Sequence, residues 1–236
     1  MKKTTIALFL SGILTIVGLG TFSMVNASNN NDVATQEEIT LDDMVINDGD
    51  DALNRLKLGN KLYVNDTSQS MDISSSKRAS LQNKQNPFAV VVSCSDSRVV
   101  TSNIFNTGLG DIFDIKLAGN VVDDLALGSI EYAVEHLNTP LLVVMGHENC
   151  GAVTAAYNSV KNGEKVSGNI KEIVEEIEPA VKNASSIDEA SHNNVYDVIQ
   201  QIEKDSTIKK LVDEGKLKIV GAYYDLDGEV QFLDNV

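Results

Sequence analysis

The sequence predicts an α/β fold: a mostly parallel central β-sheet of about four strands flanked by helices, with an N-terminal helical arm and a C-terminal hairpin adding an edge strand. Three observations predict it. Phe88-Ala89-Val90-Val91-Val92-Ser93 and Leu141-Leu142-Val143-Val144-Met145 are uninterrupted apolar runs, the pattern of strands buried on both faces. Patterns with helical spacing separate the strand candidates, as parallel connections require. The chain closes on Asp227-Gly228 between two β-rich runs, a hairpin signal.

From the start, Lys2 and Lys3 precede an apolar run from Ile6 to about Gly20, and Val25-Asn26-Ala27 ends on a small residue. This reads as a secretory signal peptide, residues 1–27, because the run is short of the ~20 residues a spanning helix needs. An exported protein is expected, secreted, periplasmic or associated with the cell envelope, with no membrane span after cleavage. Residues 28–49 are rich in Asn, Asp and Gln and read as a flexible acidic leader. Residues 50–236 form one domain of ordinary size.

Within that domain, Leu53, Leu56 and Leu62 follow helical spacing behind Asp50 and Asp51, which predicts a helix from 50 to about 63. Residues 71–86 are polar and end before Pro87, a loop with room for one helical turn at 77–81. Further strands are expected at 112–116 and 217–224, the latter turning into 230–233. Helices are expected at 125–136, 152–160, 169–181 and 195–212.

The formal net charge of −15 falls to −17 once the signal peptide with its two lysines is removed. Such a chain, with no Lys/Arg cluster, is repelled by phosphate backbones and anionic lipid, so nucleic acid and membrane surfaces are not expected as partners. A small neutral substrate feels no such repulsion, and an anionic product is helped outward.

The only two cysteines lie in Cys94-Ser95-Asp96-Ser97-Arg98 and His147-Glu148-Asn149-Cys150-Gly151. In an exported protein a single disulfide is the first competitor. The neighbouring His147, Asp96 and Arg98 favour a metal instead: two thiolates and an imidazole suit tetrahedral Zn²⁺ and leave a fourth position open. Cys94 and His147 each follow a buried strand, and open parallel sheets bind ligands beyond the carboxyl ends of their strands. Cys150 lies where a helix begins, and a helix N-terminus favours the thiolate. An ordinary ion pair is the competing account of Asp96 and Arg98.

Cys-x-Asp-x-Arg followed by His-x-x-Cys-Gly resembles the metal and dyad signature of the β-class carbonic anhydrases, here in an exported bacterial-type form. The resemblance runs from about Asp51 to the C-terminus, through Gly128-Ser129-Ile130-Glu131-Tyr132 and Val220-Gly221-Ala222-Tyr223-Tyr224. It implies reversible hydration of carbon dioxide to bicarbonate and a proton by a zinc-bound hydroxide, with one Zn²⁺ per subunit held by Cys94, His147 and Cys150. It implies that Arg98 holds Asp96, which orients the nucleophile, and that Asp96 can serve as a fourth ligand in an inactive state. Gly151 is expected to present its N–H to substrate, with Gln85, Phe113 and Tyr132 completing a substrate cleft and His136 at a proton-shuttle position. Gln85 would act from the neighbouring subunit, since family members are homodimers or multiples of dimers. Val91, Lys116 and Tyr224 stand where one subtype builds an inhibitory bicarbonate pocket from tryptophan, arginine and tyrosine, so that regulation is not expected. Hydrolysis of a carbon dioxide analogue, a non-catalytic zinc protein and a thiol-disulfide protein are the alternatives.

Overall fold

The computed structural model describes residues 41–233. The signal peptide and most of the leader expected from the sequence lie outside the described residues. The last part of that leader is packed rather than free. Leu41 is buried, donates its N–H to Gln69 Oε1 at 3.0 Å and accepts from Arg55 Nε at 3.2 Å. An apolar side chain and a buried guanidinium in need of acceptors bind this stretch to the domain, a long-range demand that local composition does not show.

Helix α1 spans Gly49–Val64, and Asp48 caps it by accepting from the N–H groups of Asp50 and Asp51. The short α2, Ser75–Ser80, interrupts the polar segment that follows. Then come β1 (Ala89–Ser93), α3 (Thr101–Ile104), β2 (Ile112–Lys116) and α4 (Asp124–Glu131), the last continued by a wider turn over Tyr132–His136. Next are β3 (Leu141–His147), α5 (Gly151–Asn162), α6 (Ile170–Lys182), α7 (Ile187–Ile202), α8 (Ser206–Asp213), β4 (Lys218–Tyr224) and β5 (Val230–Leu233).

The single helix expected at 195–212 is two helices. Asp205 accepts from the N–H groups of Thr207 and Ile208 and starts α8 afresh, while Ser186 accepts from Glu189 N and starts α7 eight residues earlier than the apolar pattern suggests. Both capping signals are present in the sequence and are masked there by continuous apolar spacing.

The five strands run in the order β2-β1-β3-β4-β5, parallel except for the antiparallel hairpin pair β4-β5. Period-2 alternation sorts their side chains. Val90, Val92, Leu142 and Val144 pack under α4, α7 and α8, whereas Ala89, Val91, Leu141, Val143 and Met145 face α1 and the segment around Phe105. Both faces are covered, which explains why β1 and β3 read as unbroken apolar runs. A third cluster joins α5 and α6 beyond the strand ends and includes Cys94 and Cys150. No helix among the described residues is long and apolar enough to cross a membrane.

Candidate metal centre

The parallel register aligns Ser93 of β1 with Met145 of β3. β1 ends at Ser93 and hands on to Cys94, whereas β3 runs two residues past Met145 and ends on His147, so Cys94 and His147 both stand at the carboxyl ends of neighbouring strands. Cys150 arrives from the opposite direction as the N-cap of α5. All three are buried, and their ligand atoms lie within 4.8 Å of one another.

Their geometry fits zinc. Two sulfurs each about 2.3 Å from a tetrahedral ion stand roughly 3.8 Å apart, and the Cys94 and Cys150 Sγ atoms are 4.0 Å apart, far beyond the ~2.05 Å of a disulfide. His147 Nδ1 lies 2.9 Å from the Glu148 carbonyl oxygen. A carbonyl only accepts, so Nδ1 carries the proton and Nε2 presents its lone pair. That Nε2 is buried without a hydrogen-bond partner, the signature of an atom reserved for a ligand.

The thiols are unequal. Cys150 hydrogen-bonds to Cys94, and with the Gly119 N–H at 3.2 Å this holds the Cys94 thiol well below its ordinary range. Cys150 is pushed up by the same pairing and by burial, against the N–H groups of Val153 and Ala152 at the start of α5. Those two donors favour its thiolate when a cation replaces the shared proton.

Gly119 reaches Cys94 through a turn at φ +70°, and a Cβ there would stand 2.5 Å from Ile177 Cδ1. The Asn194 side chain bonds the Gly119 carbonyl at 2.8 Å and fixes the turn. Neither residue was legible as part of the site, because Gly119 lies 25 residues and Asn194 a hundred residues from Cys94 in the chain.

Asp96 and Arg98 form a bidentate pair, with Nε to Oδ1 at 2.9 Å and Nη2 to Oδ2 at 2.8 Å. This pairing, with the Arg98 N–H at 2.9 Å from Oδ1, holds the Asp96 carboxyl well below the usual carboxylate range. Arg98 also reaches the Asn149 carbonyl at 3.4 Å, which ties the two motifs together. Lys116 Nζ donates to Ser93 Oγ at 3.2 Å and to the Val99 carbonyl at 2.6 Å. It thereby braces both ends of the segment that carries Cys94, Asp96 and Arg98. Gly151 opens α5, and a Cβ there would meet nothing within 4 Å. Open space therefore lies in front of that helix turn.

The other expected site residues form a separate group. Gln85, Tyr132 and His136 line one exposed cleft, with the Tyr132 ring 6.3 Å from Phe113 and 5.4 Å from His136. None of Cys94, His147 and Cys150 lines that cleft.

A family model described as carbonic anhydrase matches residues 89–230. Carbonic anhydrase 2 of Mycobacterium tuberculosis is 40% identical over 178 residues, 73% of this chain and 86% of that protein. A carbonic anhydrase of Mycolicibacterium smegmatis is 43% identical over 162 residues, 66% and 79% respectively. Among solved structures, the β-carbonic anhydrase CafA of Aspergillus fumigatus aligns with a TM-score of 0.60 at 29% identity, covering 66% of this chain and 80% of that one. One of two tetrameric β-carbonic anhydrases from Sordaria macrospora aligns at 0.63, covering 78% and 94%; at 23% identity this likeness concerns the fold alone. The chain belongs to the β-carbonic anhydrase family.

Proposed function

We propose that the protein catalyses the reversible hydration of carbon dioxide to bicarbonate and a proton with one zinc ion held by Cys94, His147 and Cys150. The observation that carries this reading is the buried Cys-His-Cys cluster with a bidentate Asp-Arg pair beside it. Pure metal storage has no use for that pair.

Zinc held by these side chains supplies a Lewis acid that lowers the pKa of water and so provides a nucleophile near neutral pH. Two thiolates already neutralise the dication, so the protein must help orient that nucleophile. Asp96 does this: with its carboxylate held ionised by Arg98, its remaining lone pairs accept the hydrogen bond that turns an oxygen lone pair toward the carbon of carbon dioxide. Arg98 sets the direction of that carboxylate and is itself positioned by the Asn149 carbonyl. The open space before Gly151 leaves a helix N-terminus accessible to the oxygens of substrate. The net charge of −15 favours departure of the bicarbonate product.

The same reading assigns Gln85, Phe113 and Tyr132 to the cleft of a homodimer, Gln85 reaching the site of a second copy, with His136 as the shuttle at its rim. Their separation from the cluster within one chain supports it. Export with cleavage after Ala27 is supported by the basic and apolar segments at the start of the sequence, and mass spectrometry of protein made in a secreting host should find Ser28 at the N-terminus.

Stopped-flow carbon dioxide hydration by the purified protein, with zinc quantified, tests the function. Hydration well above buffer at one zinc per chain is expected. Zinc-loaded, folded protein without hydration would reduce the reading to zinc binding.

A further inference from the structure

Glu148 stands between the ligands His147 and Cys150, and every polar atom of it is directed to the site or to the β4–β5 hairpin. Its N–H donates to the Tyr224 carbonyl at 2.9 Å, extending the β3–β4 ladder one step past His147. Its carbonyl accepts from His147 Nδ1 at 2.9 Å. Its carboxylate accepts from the Leu226 N–H at 3.1 Å through Oε2 and from Asn149 Nδ2 at 3.1 Å through Oε1. Asn149, at φ +54°, offers the carbonyl that Arg98 reaches.

The peptide group after Glu148 thus carries the acceptor that sets the His147 tautomer and ring direction, and the next one carries the acceptor for Arg98. Without the carboxylate, the Glu148 N–H to the Tyr224 carbonyl is the one hydrogen bond among the described residues that would still tie this pair to the β4–β5 hairpin. Outer partners of a metal-bound imidazole commonly matter to metal affinity by about 10- to 100-fold. We infer that Glu148 is a positioning residue: it latches the turn 225–228 to the 148–149 segment and so holds both the His147 ligand and the Arg98 pivot in place. This rests on the zinc-enzyme reading above.

Two variants remove the latch from opposite sides. Glu148→Ala removes the acceptor. Leu226→Pro removes the donor N–H, at the second position of a turn closed by Gly228 N to the Asp225 carbonyl, where proline is favoured. It also trims a half-buried side chain packed on the core, for which Leu226→Ala, with its N–H intact, is the control and should keep wild-type zinc affinity. Chelator competition should show zinc affinity about tenfold or more weaker in each, and the visible spectrum of the cobalt-substituted proteins should shift in the same way. Turnover should fall more than KM rises. The double variant should be no weaker than the worse single one, and Glu148→Gln, whose amide oxygen still accepts from Leu226, should recover most of the affinity.

Wild-type zinc affinity and cobalt spectrum in folded Glu148→Ala, additive losses in the double variant, or no recovery in Glu148→Gln would overturn the latch. Should Glu148→Ala fail to fold, Leu226→Pro and Glu148→Gln carry the same decision. Wild-type protein that binds no zinc would instead overturn the reading on which the latch rests.

Discussion

The metal cluster and the Gln85–Tyr132–His136 cleft are built in opposite ways. Cys94, His147 and Cys150 are buried, drawn together by adjacent parallel strands and one helix start, and complete within a single chain. Gln85, Tyr132 and His136 are exposed and share a cleft that the ligands do not line. Backbone geometry is enough to assemble the first group. Under the proposal above, the second group would face the metal cluster of a second copy.

The largest effect should fall on the cluster. Cys150→Ser removes a thiolate whose partners are already committed, so zinc and hydration activity should both be lost, as read by metal analysis and stopped-flow assay. Retained zinc with full activity would show that the cluster is not the centre. Asp96→Asn should separate binding from chemistry, with zinc kept and turnover down by ~10²–10⁴-fold.

The cleft should respond to a different variable. Gln85→Ala should leave zinc content unchanged and lower turnover by about tenfold, a typical loss of one orienting donor. Dilution of the wild type below its assembly concentration, followed by sedimentation, should produce the same loss. Full specific activity in a proven monomer would place the whole active site within one chain.

Smaller effects concern the frame. Lys116→Met removes two hydrogen bonds from a charged donor at the ends of the Cys94–Val99 segment. A stability loss of roughly 1.5–3 kcal/mol is expected by urea unfolding, with Lys116→Arg only partly restoring it because a planar fork differs from a compact ammonium.

The smallest effect lies remote from both regions. Burial raises the Asp197 pKa, opposed by Lys204. The folded state therefore holds that proton to higher pH than the unfolded chain, so the cost is absent below the unfolded Asp value of about 3.9 and fully present above the raised one. Asp197→Asn should stabilise the protein modestly at pH 7 and not at pH 3, measured by urea unfolding at both. Equal gains at both values would remove charge burial as the cause.

The same contrast explains what was legible in the sequence. Two apolar runs each followed by a ligand placed Cys94 and His147 at strand ends, and adjacency of β1 and β3 supplied the rest. The Gly119 N–H on Cys94, the Lys116 brace and the Leu41 anchor depend on where distant segments cross, which no local spacing encodes. The Ser186 and Asp205 caps were readable in principle but hidden by unbroken apolar periodicity. Glu148 stood in plain view between two ligands, yet its partner, the Leu226 N–H, comes from a hairpin 78 residues away.

X-ray absorption at the zinc edge of the purified protein tests the central claim most directly. Two sulfurs at about 2.3 Å and one histidine nitrogen at about 2.0–2.1 Å, with one further light atom, are predicted, and Cys94→Ser should remove one sulfur from that shell. A shell without sulfur, or a Cys94–Cys150 disulfide in the zinc-free mass spectrum that persists when zinc is supplied, would contradict it.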